Sequence, residues 1–128
     1  MLKRTILIGC IFAALLAGAV RADQATGFVV GMYQGIGTTP CGQFARLYRD
    51  NPQYTEEIFF AWGSGFMTAL NLGSVREMGK YRHFGSMPLE VQKDFLRTYC
   101  ASNPLKDYIS ALLALWGSMS TAIFPKQN

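Results

Sequence analysis

Apolar positions recur every three or four residues along the chain after residue 38, which is the period of an α-helix with one buried side. The first such pattern follows Thr39 and Pro40, a pair typical of a helix start. Its predicted buried positions are Cys41, Phe44, Ala45 and Tyr48. The sequence Asp-Asn-Pro at residues 50–52 ends this first predicted helix.

A second helix is predicted from about Thr55 to Leu72, and it is apolar over most of its circumference. We therefore expect it to be central and buried. Small residues recur at every fourth position within it, in the row Ala61, Gly65, Ala69 and Gly73. We interpret this row as a packing surface that lets another helix approach closely, in preference to a ligand cradle.

Two further helices are predicted, one from near Met87 and Pro88 and one opening at Asn103 and Pro104. The last is uncharged from Tyr108 to Phe124, but it is short for a membrane span and carries hydroxyl groups, so a core helix is preferred. The predicted fold class is all-α, a small bundle of four or so helices covering residues 39–124. A strand pattern is present only weakly, before residue 39.

The chain begins like an exported protein. A basic start precedes an uncharged apolar run, and small residues follow at Val20 and Ala22. Residues 1–22 are predicted to be a secretory signal peptide cleaved after Ala22. A permanent anchor is the alternative, but the run is shorter than the roughly 20 residues that a bilayer requires. We therefore expect a periplasmic or secreted protein without a membrane span after cleavage.

Residues 23–38 form a glycine-rich segment that is too apolar for a free tail. We interpret it as an arm, extended or weakly helical, that lies against the body. The alternative is that a partner covers it.

Cysteine usage predicts a covalent crosslink. Cys10 leaves with the signal peptide, and Cys41 and Cys100 remain as an even pair in an exported protein. A disulfide is preferred to a reactive thiol pair, because the chain has no C-x-x-C motif. Closing a loop of about 60 residues would stabilise the fold by roughly 4 kcal/mol in the chain-entropy model.

The charge of the chain argues against nucleic-acid binding. The sequence has 12 basic and 8 acidic residues. Three basic residues lie in the predicted signal peptide, so the net charge after cleavage would be only about +1. A basic surface that neutralises phosphates is therefore not expected.

Few groups for catalysis are present. His83 is the only histidine, and with both remaining cysteines in a disulfide no set of metal ligands converges. We expect no enzyme, no cofactor and no metal. The polar, basic stretch from Gly73 to Gly85 is predicted to be a connection, either a recognition loop or a solvated linker. Its candidate partner-binding residues are Arg76, Lys80, Arg82 and His83.

Three fragments together carry a family resemblance. They are TPCGQF at residues 39–44, GFMTALN at residues 65–71, and Tyr99-Cys100 followed by NPLKD at residues 103–107. The chain resembles the HdeA/HdeB class of small periplasmic acid-stress chaperones. It is also similar to a wider group of secreted single-disulfide proteins and to the Tai-type immunity proteins, which neutralise type VI secretion amidases.

The chaperone resemblance implies a homodimer of helical subunits, each with a Cys41–Cys100 bridge, that loosens in acid and exposes apolar surface to unfolding clients. It also implies that Phe66 and the positions Ala61, Gly65 and Ala69 of the small-residue row serve packing or client contact. The apolar arm and the basic connection depart from the family pattern. The expected function is a non-enzymatic periplasmic protein-binding protein of the chaperone type. The alternatives are an inhibitor of a secreted cell-wall hydrolase and a secreted structural or interaction protein.

Overall fold

The structure, a computed structural model, describes residues 34–125 of the 128-residue chain. These residues are mostly helical, as predicted, with a small sheet in addition. In chain order the elements are a 3₁₀ turn (Gly35–Thr38), α1 (Cys41–Asp50), α2 (Pro52–Met78), β1 (Lys80–Arg82), a second 3₁₀ turn (Phe84–Ser86), α3 (Leu89–Ser102), α4 (Tyr108–Ser118) and β2 (Thr121–Ile123). The predicted signal peptide and most of the predicted arm lie outside the described residues.

The start of α1 is held by the loop between α3 and α4. The Cys41 N–H, which has no acceptor within its own helix, donates to the Lys106 C=O at 2.7 Å. In the other direction, the Tyr108 N–H donates to the Thr39 C=O at 2.9 Å, so the starts of α1 and α4 are tied together. Backbone carbonyls thus satisfy these amides, rather than a capping side chain.

Helix α2 is longer at both ends than the sequence pattern predicts. Its start is capped by the Asn51 side chain, whose Oδ1 accepts from the Tyr54 N–H at 3.4 Å. Thr55 is therefore not the start; it is buried, and its hydroxyl donates to the Leu47 C=O at 3.0 Å. The helix ends at Gly79, which has a φ of 63° and so adopts the left-handed conformation that glycine tolerates best.

The core lies between the four helices and includes the predicted disulfide. Cys41 and Cys100 are bonded and have no exposed surface, which confirms the crosslink. Around them lies a cluster of aromatic rings, in which Phe59 meets Tyr108 edge-on at 4.9 Å and Phe44 lies 5.2 Å from Tyr108. Helix α4 is a core helix, as predicted. Its buried residues are Tyr108, Ile109, Ala111, Leu112 and Leu115.

A two-stranded antiparallel sheet was not predicted. β1 pairs with β2 in the register Lys80 to Ile123, Tyr81 to Ala122 and Arg82 to Thr121. Because each strand has three residues, no alternating pattern of useful length marks it in the sequence. The strand β2 also corrects the extent of the last predicted helix: α4 stops at Ser118 and does not continue through the uncharged run to Phe124. Likewise, Asn103 and Pro104 belong to a turn, and α4 starts only at Tyr108.

A candidate protein-binding face on α2

The inward side of α2 is marked by a residue buried at every fourth position, namely Thr55, Phe59, Gly63 and Met67. Gly63 is the point of closest approach to α4. A Cβ placed there would lie 2.6 Å from Cδ2 of Leu112, a residue with no exposed surface. Close helix packing through a small residue therefore does occur on α2, but at Gly63.

The small-residue row predicted to pack against another helix faces outward instead. Ala61, Gly65, Ala69 and Gly73 are all exposed. No atom lies within 4 Å of a Cβ built at Gly65 or Gly73. For residues 34–125 the packing prediction is therefore wrong, and so is the expectation that α2 is buried all round. Small residues do recur at every fourth position of α2, but this spacing alone does not show which side of an apolar helix faces the core.

The outward side of α2 forms a surface without charge, which we name the uncharged face. It consists of Ala61, Gly65, Thr68, Ala69, Leu72 and Gly73, all exposed. No charged residue occurs between Glu57 and Arg76, which is roughly five turns or 27 Å of helix. The Thr68 hydroxyl donates back to the Ser64 C=O at 2.7 Å, so its proton is already engaged within the helix.

Such a face is unusual on a helix in contact with water, where charged and polar residues are normally found opposite the buried side. Leu72, near the C-terminal end of the face, is 68% exposed. By length and composition alone, α2 would also be able to cross a membrane, a criterion that core helices and signal sequences meet as well. The face therefore has the character of a surface that contacts another apolar group.

Phe66, a predicted contact residue, lies at the border of the uncharged face and not on it. It is half-buried and stacks on Trp62, with ring centroids 5.7 Å apart and planes 7° apart. Trp62 in turn covers the Gly35–Thr38 turn, where a Cβ at Gly37 would overlap the indole ring. This aromatic pair fixes the chain entering α1 against the side of α2.

The predicted connection from Gly73 to Gly85 is mostly ordered secondary structure. Its first part is the end of α2, and residues 80–82 are β1. Arg76, Lys80 and His83 are exposed, as a recognition role requires. The interpretation of this stretch as a loop or linker is therefore wrong, although three of its four candidate residues are accessible.

Arg82 is engaged within the chain. Its Nη1 donates to the Met119 C=O at 2.9 Å and to the Thr121 hydroxyl at 2.8 Å. Its guanidinium also lies over the Trp116 ring, 5.2 Å from the centroid. The side chain holds the sheet on the helices, so we no longer treat it as a contact residue for a partner.

Asn71 is a structural residue that the sequence interpretation missed. Its Oδ1 accepts from the Arg82 N–H and from the Trp116 Nε1–H, both at 2.9 Å. Its Nδ2 donates to the Arg82 C=O at 2.8 Å. A lone amide side chain within the uncharged stretch of α2, residues 58–75, was the available signal, since a polar group in such a place usually has a partner.

A cluster of ion pairs joins α2 to α3. Glu56 of α2 accepts from Arg97 and lies 3.5 Å from the Lys93 ammonium. Partial burial opposes the charge on Arg97, but the attraction and hydrogen bond of Glu56, together with Tyr48 and Asp94, outweigh it and raise the pKa of Arg97. Lys93 and Arg97 also contact the neighbouring carboxylates Glu90 and Asp94. The helices are thus linked through one carboxylate that is largely shielded from water.

Groups that would support catalysis do not converge within residues 34–125. No group of three or more histidine, cysteine or carboxylate side chains is placed to hold a metal ion there. A shallow groove of about 460 Å³ runs along the outer side of α3, with Phe95 and Tyr99 stacked along it. Its lining carboxylate, Asp94, is paired with Arg97. Among the described residues, the uncharged face is thus the most distinctive surface.

Comparison with protein-family models, with curated proteins and with solved structures finds no match to this chain. The resemblance to periplasmic chaperones thus remains a prediction from the sequence.

Proposed function

We propose that this protein is a non-enzymatic protein-binding protein of the periplasm or the extracellular space, which holds apolar segments of other polypeptides on the uncharged face of α2. The observation that carries the proposal is the exposure of this face, which lies within a stretch of roughly five helical turns that contains no charge. The buried disulfide supports the compartment, because such bonds persist mainly in oxidising surroundings.

The chemistry of the face suits clients of varied sequence. Small side chains make a shallow surface with few fixed features, and Leu72 adds an apolar contact near one end of it. Burying apolar area stabilises a complex by about 25 cal/mol per Å² without demanding a particular partner geometry. An unfolded chain, which exposes such area, is therefore the favoured ligand.

Acid would strengthen this activity by loosening the helices. In acid the carboxylates of the chain lose their charge while the basic groups keep theirs, so repulsion between Lys93 and Arg97, which both contact Glu56, opposes the packing of α3 on α2. Tyr108 faces the same carboxylate from α4, and Gln53 and Glu57 neighbour it on α2. The disulfide would keep α1 and α3 joined while α3 moves away from α2.

The proposal is tested by placing charge on the face. We expect the wild-type protein to keep an aggregation-prone client, such as reduced lactalbumin, in solution at neutral pH and more strongly near pH 2. At neutral pH, Ala61→Glu together with Ala69→Glu should remove most of this protection, because a carboxylate would have to be desolvated under the client. Gln43→Glu, on the exposed side of α1, is the matched control and should protect like wild type.

Absence of protection by the wild type at either pH would contradict the proposal. So would a double variant that protects as well as Gln43→Glu at neutral pH, where the added carboxylates are charged.

An inhibitor of one secreted hydrolase is the second candidate function. It is favoured by the exposure of Arg76, Lys80 and His83 at an end of the molecule that Asn71 and Arg82 make rigid. In a pull-down from periplasmic extract, an inhibitor would retain one stoichiometric protein and lose it when Arg76 and Lys80 are changed to alanine. A client-binding protein would retain many proteins, and the two substitutions would not change which proteins are retained.

A further inference from the structure

The two edges of the β1–β2 sheet differ in how their backbone groups are satisfied. The Phe124 N–H donates to the Gly79 C=O at 2.9 Å, so these two residues form a hydrogen-bonded pair of the antiparallel ladder. Hydrogen-bonded and non-hydrogen-bonded pairs alternate along such a ladder. The N–H and C=O groups of Arg82, Thr121 and Ile123 therefore point away from the opposite strand.

The outer edge of β1 is closed by a side chain. Asn71 accepts from the N–H of Arg82 and donates to its C=O, at 2.9 and 2.8 Å, as the next strand of a sheet would do. The outer edge of β2 is open: within residues 34–125 neither the Thr121 N–H nor the Ile123 N–H has a backbone or side-chain acceptor. Ile123 is 76% exposed beside it.

One side of the sheet is aromatic and faces away from the helices. Tyr81 lies 6.3 Å from the His83 ring and 6.4 Å from the Phe124 ring, so the three share this side. On the opposite side Arg82 packs over Trp116. Phe124 is 44% exposed, next to the open edge of β2. A strand added at that edge would place every second side chain over this aromatic side.

The charge around the sheet is positive. Between residues 76 and 83 the basic residues are Arg76, Lys80 and Arg82, against the single acidic residue Glu77. β2 carries no charge of its own. An added strand would therefore be favoured if it were acidic.

We propose that the outer edge of β2 binds an extended, acidic segment of another protein as a third strand of the sheet. The segment exchanges main-chain hydrogen bonds with Thr121 and Ile123 and places an apolar side chain against Phe124. This site is separate from the uncharged face of α2, so its test is independent of the client-binding proposal.

The probe is a set of blocked, fluorescently labelled heptapeptides that alternate aspartate with phenylalanine, valine or leucine. Ile123→Pro removes the outward N–H and leaves the β1–β2 hydrogen bonds in place, because the donors of that ladder are on other residues. Ile123→Thr is the matched control, since it removes a similar apolar surface but keeps the N–H. We expect Ile123→Pro to bind the best peptide about tenfold more weakly than Ile123→Thr, the effect of one lost hydrogen bond.

A second readout locates the contact. Amide hydrogen exchange at Thr121 and Ile123 should slow when the peptide is added and remain unchanged at Lys80, whose N–H does not border the open edge. Near-ultraviolet circular dichroism of Trp116 establishes that the proline variant keeps the sheet on the helices.

The proposal would be overturned if no peptide bound, or if Ile123→Pro and Ile123→Thr bound equally. Slow exchange of both amides in the protein alone would also overturn it, because the edge would then be filled by this chain or by a second copy. If peptides with lysine in place of aspartate bound equally well, the claim that the partner segment is acidic would be wrong.

Discussion

The two sides of α2 have similar residues and opposite surroundings. The inward side places Phe59, Gly63 and Met67 against α1 and α4, while the outward side presents Gly65, Ala69 and Leu72 to solvent. Both sides are apolar and both contain a glycine at helical spacing. The difference teaches that a pattern of small residues defines a smooth helix surface but not its role, which depends on what lies opposite.

The difference also has an energetic consequence. On the inward side each residue contributes to folding, because truncating a large side chain leaves a cavity and enlarging a small one creates a clash. On the outward side the same kinds of residue contribute little to folding and remain free for binding. Four substitutions or pairs of substitutions test this contrast.

The largest effect is expected for truncation of large side chains on the two sides. Phe59→Ala should lower the free energy of unfolding by about 3–5 kcal/mol, because it leaves a cavity beside Phe44 and Tyr108. Leu72→Ala, on the outward side, should change it by less than about 0.5 kcal/mol. Urea unfolding of both variants measures the contrast, and comparable losses would refute it.

A smaller loss is expected at Asn71, which faces the sheet. Asn71→Ala should cost about 2–3 kcal/mol, since the Arg82 backbone and the Trp116 indole lose their partners. Asn71→Asp, which keeps an acceptor but loses the donor, should fall between this variant and wild type. Thermal unfolding at neutral pH provides the measurement; a wild-type melting temperature for Asn71→Ala would show that the sheet is held by other contacts.

Burial of Tyr108 in the core should also make the stability of the fold depend on pH in the alkaline range. Burial raises the pKa of Tyr108 above its ordinary value, and the negative charge of Glu56 adds to this effect. The unfolded chain releases this proton near pH 10, whereas the folded chain retains it. Stability is therefore full below about pH 10 and falls as pH rises above it, by up to about 1.4 kcal/mol per pH unit.

Replacing the phenol tests this contribution. Tyr108→Phe should flatten the loss of stability between about pH 10 and pH 12, whereas Tyr54→Phe, at an exposed position on α2, should leave it unchanged. Denaturant titrations at several pH values give the slopes. Identical slopes for wild type and Tyr108→Phe would mean that the phenol is not shielded in the folded state.

The smallest effects, of opposite sign, are expected for the two glycines. Gly63→Ala should destabilise by about 1 kcal/mol, because the added methyl group meets Leu112, which is fully buried and has little room to move. Gly65→Ala should stabilise by about 1 kcal/mol, since its methyl group enters open space and alanine is the better helix former. Calorimetry on the pair measures both signs, and destabilisation by Gly65→Ala would place the row inside a packed interface.

Much of the fold was predictable from local pattern. The spacing of apolar residues predicts the helices, and two cysteines in a chain with an export-like start predict the Cys41–Cys100 bond. These features follow from residues close in sequence or from simple pairing. The spacing of apolar residues also predicts correctly that α4 is a core helix. The start of α4 at Tyr108, however, depends on a backbone hydrogen bond to Thr39, which no local pattern contains.

The features that define the candidate sites depended on distant residues. The sheet forms because Asn71 and Arg82 bring β1 to a strand about 40 positions away, as the bond from Arg82 to Thr121 shows. The direction of the small-residue row depends on whether Gly63 or Gly65 meets α4, and the two glycines are indistinguishable by composition. Sequence alone therefore found four of the six residues of the uncharged face, but not that the row faces away from the other described helices.

The central claim is that the uncharged face of α2 is where other polypeptides bind. Nuclear magnetic resonance of the methyl groups, recorded while an unfolded client such as reduced lactalbumin is titrated in, tests it most directly. We expect the changes to be largest at Ala61, Ala69 and Leu72 and absent at buried Leu112. Changes confined to other surfaces, such as Val91 on α3, or no changes with a client that the protein keeps soluble, would contradict the account.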